Sequence, residues 1–580
     1  GFEPIGNETA PFSGSFDGNG STISDLHIDR ESTNNVGLFG VVSSGTIEDV
    51  GVENVDITGG EAVGGLAATN INGEITASYV NGDVNGSSTV GGLVGEHRNG
   101  GTVAGSHATG KVVSASNYVG GLIGQAGGGT VSTSNATGNV SGSSSYVGGL
   151  IGQADGVTVT ASNATGTVSG DSNYVGGLIG ESANGNVNRS HATGETSGSS
   201  SVGGLVGHNN GGTVAGSHAT GKVVGASDYV GGLIGLASGG TVSSSNATGN
   251  VSSASDTVGG LVGYNSGGTV DKSYATGEVN GSKNVGGLVG FNSVSNVNGE
   301  TSARVTESYA TGKVVGASDN VGGLVGQNDQ STVTDSYTTG SVSGSERVGG
   351  LIGWSINGTV STSNATGNVS GASDYVGGLI GHNRGTVSKS YATGSVSGDS
   401  RYVGGLIGES SATVSKSYAT SDVTGDKFVG GLVGGGSGTF TTSYATGTVS
   451  GSQYVGGFVG VTGGTVSNSY WDKGTTSQSD ATGGSSAAGI TGFGTVGVDE
   501  PAANMTGSNA LADGNMDALN GSVWQTTSDT AVENENETFL KLVYPTLIAN
   551  PQTPPPGGLT ANPQTPPNGS QGDSPTDDGT

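Results

Sequence analysis

VGGLIG, residues 147–152, lies within the phrase SNATGNVSGSSSYVGGLIGQA of residues 134–154. Near copies return at 245–265 (SNATGNVSSASDTVGGLVGYN) and at 363–383 (SNATGNVSGASDYVGGLIGHN). Aligned on the Val of V-G-G-[LF], the copies begin at Val36, Val63, Val90, Val119, Val147, Val175, Val202, Val230, Val258, Val285, Val321, Val348, Val376, Val403, Val429 and Val455. The period is roughly 27 residues, in the range that marks solenoids, propellers and arrays. One gap, Val285 to Val321, is longer by the text SVSNVNGETSA, which reads as a loop insertion.

Each copy holds three short β-prone runs: VGGLIG, then G-T-V-S-x-S-[YNH]-A-T-G, then V-S-G, separated by turn residues and without helical spacing. Three short strands per copy fit one coil of a parallel β-helix, whereas a four-stranded propeller blade needs about 40 residues. Sixteen coils at about 4.8 Å each predict a rod about 75 Å long. No coil is stable alone. Ordering the backbone costs about 1–2 kcal/mol per residue, and six or so apolar side chains return about 1.5–3 kcal/mol each. Neighbouring coils must supply the rest through ladder hydrogen bonds and continuous Val, Leu and Ile stacks. Within VGGLIG, strict alternation would put Leu150 on the face opposite Val147 and Ile151. The Gly148–Gly149 pair is expected to bend the chain so that all three point inward; the other reading leaves an outward Leu ladder.

Composition narrows the partners. The 119 glycines among 580 residues point to a repeat architecture. With 17 Lys and Arg against 46 Asp and Glu, the net charge of −29 opposes nucleic acids and anionic membranes. No apolar run approaches the roughly 18 residues of a membrane-spanning helix. Absence of Cys removes disulfides and thiolate metal sites. A start at Gly1 is read as a processed or excised chain.

The flanks depart from the repeat. Residues 1–35, with Phe2, Phe12 and Phe16, are expected to form an N-terminal cap, residues 36–470 the solenoid, and residues 471–545 a C-terminal cap with Trp471, Phe493, Trp524, Phe539 and Tyr544. A short helix is expected at SNALADGNMDAL with Ser508 as N-cap. Residues 546–580 repeat LIANPQTPPPGG and LTANPQTPPNG, a Pro-rich extended linker expected to lead to an anchor.

The phrase G-G-L-[VI]-G followed by G-T-V-x-x-S-Y-A-T-G-x-V-S-G resembles the GLUG motif of secreted and surface-attached bacterial and haloarchaeal proteins. PFSGSFDGNGSTISDL and NSYWDKGTTSQS resemble the flanks of that family. The resemblance implies a β-solenoid outside the cell, at the cell surface, with adhesin-like relatives. The acidic surplus resembles a halophile's surface.

The search for chemistry leaves little. His107, His191 and His218 take the aromatic slot of SYATG, while His97, His208 and His382 follow VG; all six read as exposed substitutes for Tyr or Asn, with His191 and His218 placed to stack. Asp228, Asp319 and Asp374 read as solvated loop carboxylates, without an EF-hand or GGxGxD pattern. No G-x-S-x-G or P-loop is present. No catalytic residue, cofactor or metal site is predicted. Two surface features remain. N-x-[ST] triplets at Asn135, Asn139, Asn163, Asn246, Asn250, Asn364 and Asn368 are candidate N-glycosylation sites. Tyr274, Tyr309, Tyr337, Tyr391, Tyr418, Tyr444 and Tyr470 form an aromatic row expected to lie opposite an inward Ala, exposed to sugars or proteins or stacked along the rod. The sequence therefore predicts a non-enzymatic extracellular stalk or adhesin whose partners are cell-surface or matrix glycans, proteins or further copies of itself. A self-assembling filament or virion fibre is the alternative, and a polysaccharide-active enzyme a distant third.

Overall fold

The computed structural model describes residues 2–295, 302–484 and 488–494, with Met505 and the backbone of short strand pieces between 524 and 547. The expected helix at 508–519 and the Pro-rich tail lie outside the described residues. The protein is an all-β parallel solenoid of sixteen coils. Each coil contributes one strand to a sixteen-stranded sheet, from Phe39–Ser43 to Val459–Thr462, and its remaining segments to a second, wrapped sheet. The strands of successive coils pair in parallel and join like positions, for instance Val119 to Val147 to Val175.

One coil shows the construction. Val147–Gly148 belongs to the wrapped sheet and Ile151–Asp155 to the sixteen-stranded one; Thr158–Thr160, Asn163–Ala164 and Val168–Gly170 then return around the core. Gly149 and Leu150 form the corner, and Val147, Leu150 and Ile151 are all fully buried in one continuous core. The Gly pair therefore bends the chain, and no Leu ladder faces outward. A Cβ on Gly148 would overlap the Ile151 carbonyl oxygen, and one on Gly149 the Gly177 carbonyl oxygen of the next coil. Gly152 meets the Gly124 carbonyl at 2.5 Å in the same way. Two sheets thus approach backbone to backbone, which only glycine permits.

The five-segment coil differs from the three expected runs because two residues per coil are left-handed. The residue before each Val, from Asn35 to Tyr454, has φ between 47° and 68° in all sixteen coils. A second kink precedes the Ser of S-[YNH]-A-T-G, as at Thr133, Ala161 and Lys272. That kink withdraws the serine N–H from the backbone ladder, and the hydroxyl of the next coil replaces the lost acceptor. Ser134 N–H donates to Ser162 Oγ at 3.2 Å, and Ser162 N–H to Ser190 Oγ at 3.2 Å. Each hydroxyl in turn donates to the carbonyl two residues back, Ser134 to Ser132 and Ser162 to Thr160. The chain of serines runs from Ser78 to Ser443 without a break. An unpaired buried N–H at any of these sites would cost about 1–3 kcal/mol.

Inside the sixteen-stranded sheet a second polar spine is buried. Asn265 Nδ2 donates to Asn292 Oδ1, and Asn292 Nδ2 to Asn328 Oδ1, both at 2.8 Å. Such amide ladders are the stacked-sheet device of matched side chains.

At the first end, Ile5 and Phe12 bridge to Phe39 and Val42, and Ser15–Ser24 pairs with the strand Thr46–Gly64. Residues 2–30 therefore reproduce a coil, with Phe12 and Phe16 packed on Phe39 at ring separations of 5.1 and 5.4 Å. The pairing shifts register between Asp17 and Ser21, where Asn19 and Gly20 are left-handed. At the other end Trp471 is buried and Asp472 caps a single helical turn, Lys473–Thr476, through Gly474 and Thr475 N–H. Ser469–Asp472 then pairs with Ile490–Phe493.

The corner generates a direct test. Gly149→Ala, whose Cβ meets the neighbouring coil, is expected to destabilise the rod by about 1–3 kcal/mol in urea unfolding, while Gly127→Ala, with nothing within 4 Å, leaves the midpoint unchanged.

Candidate functional site

The surface is organised in columns, because every position is repeated one coil rise away. The column that carries SYATG reads Tyr79, His107, Asn135, Asn163, His191, His218, Asn246, Tyr274, Tyr309, Tyr337, Asn364, Tyr391, Tyr418, Tyr444 and Tyr470. Four of the candidate glycosylation sites and the whole tyrosine row are therefore one feature. The residue after each is buried, an alanine everywhere but at Val80, Thr338 and Trp471.

The rings stack on one another. Tyr274 and Tyr309 lie 4.9 Å apart at 2°, Tyr391 and Tyr418 4.8 Å apart at 3°, and His191 and His218 4.9 Å apart at 3°. Face-to-face stacking at the coil spacing consumes the ring faces. The expectation of an exposed row needs correction accordingly. Tyr274, Tyr309 and Tyr391 are half-buried, while Tyr337, Tyr418, Tyr444 and Tyr470 are buried, Tyr444 completely. Burial and its tyrosine neighbours push Tyr309 up to about 12, and burial raises Tyr418 further. Asn364, only 1% exposed, is held between Tyr337 and Tyr391 and is corrected as a glycosylation site. Asn135, Asn163 and Asn246 are half-buried, whereas Asn139, Asn250 and Asn368 stand exposed four residues further on.

A second aromatic strip went unrecognised in the sequence. The left-handed residues before Val include Tyr118, Tyr146, Tyr174, Tyr229, Tyr375, Tyr402, Phe428 and Tyr454. They pack against the outward column of the sixteen-stranded sheet. Tyr118 stacks on Tyr146 at 5.0 Å and Tyr174 on His208 at 5.0 Å; Tyr375 meets His382 at 4.9 Å. The signal was present in the repeated YVGG, read for its Val and glycines alone.

Three histidines read as exposed are buried, His208 and His382 under that packing and His97 beside Asn70. His97, His208 and His382 are 0%, 8% and 5% exposed. His97 Nδ1 contacts Asn70 Nδ2 at 3.1 Å inside the rod. His208 Nδ1 lies 3.0 Å from Glu181 Oε1, at the end of a chain in which Gln125 donates to Gln153 and Gln153 to Glu181, each at 2.8 Å. His382 Nε2 lies 2.9 Å from Glu409. These hydrogen bonds hold the Glu181 and Glu409 carboxyls below the usual range. The loop carboxylates are also engaged across coils, and so are not merely solvated: Asp374 with Arg401 and Ser400, Asp228 with Ser255, and Asp319 with Arg347. Among the described residues, no group of three or more His, Asp or Glu is placed to hold a metal ion, and no helix is long and apolar enough to cross a membrane.

These observations define a parallel β-solenoid whose surface chemistry is written in axial columns. Within that class the chain carries the GLUG motif, which matches residues 86–113, 198–224, 254–280, 317–343 and 372–397, each match about one coil long. A 155-residue stretch is 43% identical to Halomucin of Haloquadratum walsbyi, covering 21% of this chain and 2% of that protein. The chain thus spans a small fraction of that relative's length. No solved structure matches.

Burial lowers the pKa of both His191 and His218, and His191 repels the charge on His218. A histidine depressed on folding adds stability that is complete above its unfolded pKa, about 6.5, and is lost as pH falls below it. The melting temperature is therefore expected to drop between pH 7 and pH 5, and His218→Asn, which continues the asparagine at Asn246, is expected to flatten that drop in calorimetry.

Proposed function

We propose that the chain acts outside the cell as a rigid, non-enzymatic spacer that presents columns of equivalent weak contacts to glycans or proteins. The observation that carries this reading is the continuous parallel pairing of coil on coil along sixteen coils, which gives stiffness and places one surface group of each column at every coil rise. Repetition of weak contacts on a rigid body raises avidity without any strong single site. Similarity to a short part of Halomucin and the matches to the GLUG motif support a place at the cell exterior. The buried His–Glu pairs support a structural role for the residues that could otherwise serve catalysis.

The stacked SYATG column offers ring edges and phenol hydroxyls, with its ring faces already covered. Contact with sugars along it is therefore by hydrogen bonding at half-buried Tyr274, Tyr309 and Tyr391. Interruption of the first edge strand between Asp17 and Ser21 supports single rods over an end-to-end filament, because bulged edges deter a further strand. Small-angle scattering on the purified chain is expected to report a monodisperse rod about 75 Å long. Concentration-dependent growth along the axis would replace the spacer with a filament subunit.

A further inference from the structure

Three exposed triplets, at Asn139, Asn250 and Asn368, fall on a pattern that the sequence alone does not display. Backbone bonds order one column as Lys111, Asn139, Thr167, Glu195, Lys222, Asn250, Glu278, Lys313, Ser341 and Asn368, each carbonyl accepting from a backbone N–H of the preceding coil, a Val in every case but Thr196, which donates to Lys222. Asn139, Asn250 and Asn368 are therefore separated by four coils each, about 19 Å at about 4.8 Å per coil. The loop insertion leaves this count intact, since Glu278 and Lys313 remain adjacent coils, joined at 3.7 Å.

The three side chains share one geometry. Oδ1 accepts the backbone N–H of the next coil in the column: Thr167 on Asn139 at 3.0 Å, Glu278 on Asn250 at 3.0 Å and Ser395 on Asn368 at 3.1 Å. Asp83 and Asp422 do the same for Lys111 and Thr448, so an acceptor is what the fold requires there. The amide nitrogen is superfluous to the fold. The three asparagines each have a Ser two residues on, Ser141, Ser252 and Ser370, which completes an N-x-S triplet. A half-buried asparagine in the neighbouring column, by contrast, lies one coil from a His, Asn or Tyr on either side, and Asn364 is sealed between two rings.

We infer that Asn139, Asn250 and Asn368 carry N-glycans, forming a comb of three oligosaccharides on one face of the rod. The inference rests on the extracellular reading above. In the transfer, Asn Nδ2 bonds to the anomeric carbon of a lipid-pyrophosphate-linked oligosaccharide, the carbon–oxygen bond to the pyrophosphate breaks, and the lost amide proton passes to the transferase base. Oδ1 keeps its cross-coil bond throughout, so the modification does not disturb the ladder. A four-coil interval gives each glycan clear surface; the coils between carry the paired charges Glu195–Lys222 and Glu278–Lys313. A comb of this kind hydrates one face and leaves the YVGG strip, on another part of the coil, for contact.

Glycopeptide mapping of the chain isolated from its source is expected to find occupancy at Asn139, Asn250 and Asn368 and none at Asn364. Ser141→Ala, Ser252→Ala and Ser370→Ala, which keep each asparagine and its Oδ1 bond, are each expected to remove one glycan increment from the intact mass without shifting the melting temperature of enzymatically deglycosylated protein. A bare 55.8 kDa chain recovered from the medium or cell surface overturns the glycan comb and leaves the extracellular reading standing. A bare chain recovered from the cytoplasm overturns both. Occupancy confined to other triplets, such as Asn188 or Asn280, also overturns it.

Discussion

The close approach of two backbones at the V-G-G-L-[IV]-G corner is the constraint on which the coil depends. Val147 and Ile151 sit in different sheets only four residues apart, so the intervening peptides run against the carbonyls of Ile151 and of the next coil's Gly177. No side chain larger than hydrogen fits. Once the corner is set, the Val, Leu and Ile side chains converge from both walls, and the left-handed residue before Val becomes the price of entering it. Thr89 and Thr257 accept this conformation although they are β-branched, which shows how strongly neighbouring coils over-determine it.

Much of the architecture was legible because a solenoid repeats in space what it repeats in sequence. Val36 to Val455 marked sixteen coils, and the Gly pair announced a bend. Side-chain environment was legible only in part. Tyr274 was correctly placed opposite a buried Ala275, yet its faces are taken by Tyr309, thirty-five residues away and one coil distant. His208 looked like an exposed loop residue because its partner Glu181 lies twenty-seven residues earlier. The serine chain escaped notice for the same reason: Ser134 and Ser162 hydrogen-bond along the axis, where no pattern inside a single copy can show it.

The same geometry explains why the tail of each repeat varies while its centre does not. Stacking like on like stabilises Val, Ser, Asn and Tyr, whose contacts with their own kind are favourable at one coil rise. Charges behave oppositely. Identical ions one coil apart repel, so a strictly repeated Asp or Lys would load the rod with unfavourable pairs along its whole length. The column of Lys111, Asn139, Thr167, Glu195 and Lys222 puts no two like charges on successive coils and pairs Glu195 with Lys222.

At some of the places where like charges meet in register, a third group intervenes. Asp319 pairs with Glu346 in the ladder, and Arg347 reaches both, at 3.7 Å and 2.6 Å, while its guanidinium lies 4.9 Å over Trp354. Arg401 and Lys427 are also neighbours in register, and Arg401 is held by Asp374 one coil below. Among the described residues, Glu195, Glu278, Asp319 and Asp374 are each tied to a basic side chain of the adjoining coil. Imperfection of the repeat at charged positions is therefore a requirement of stacking: the core demands identity between neighbours, and the surface demands difference.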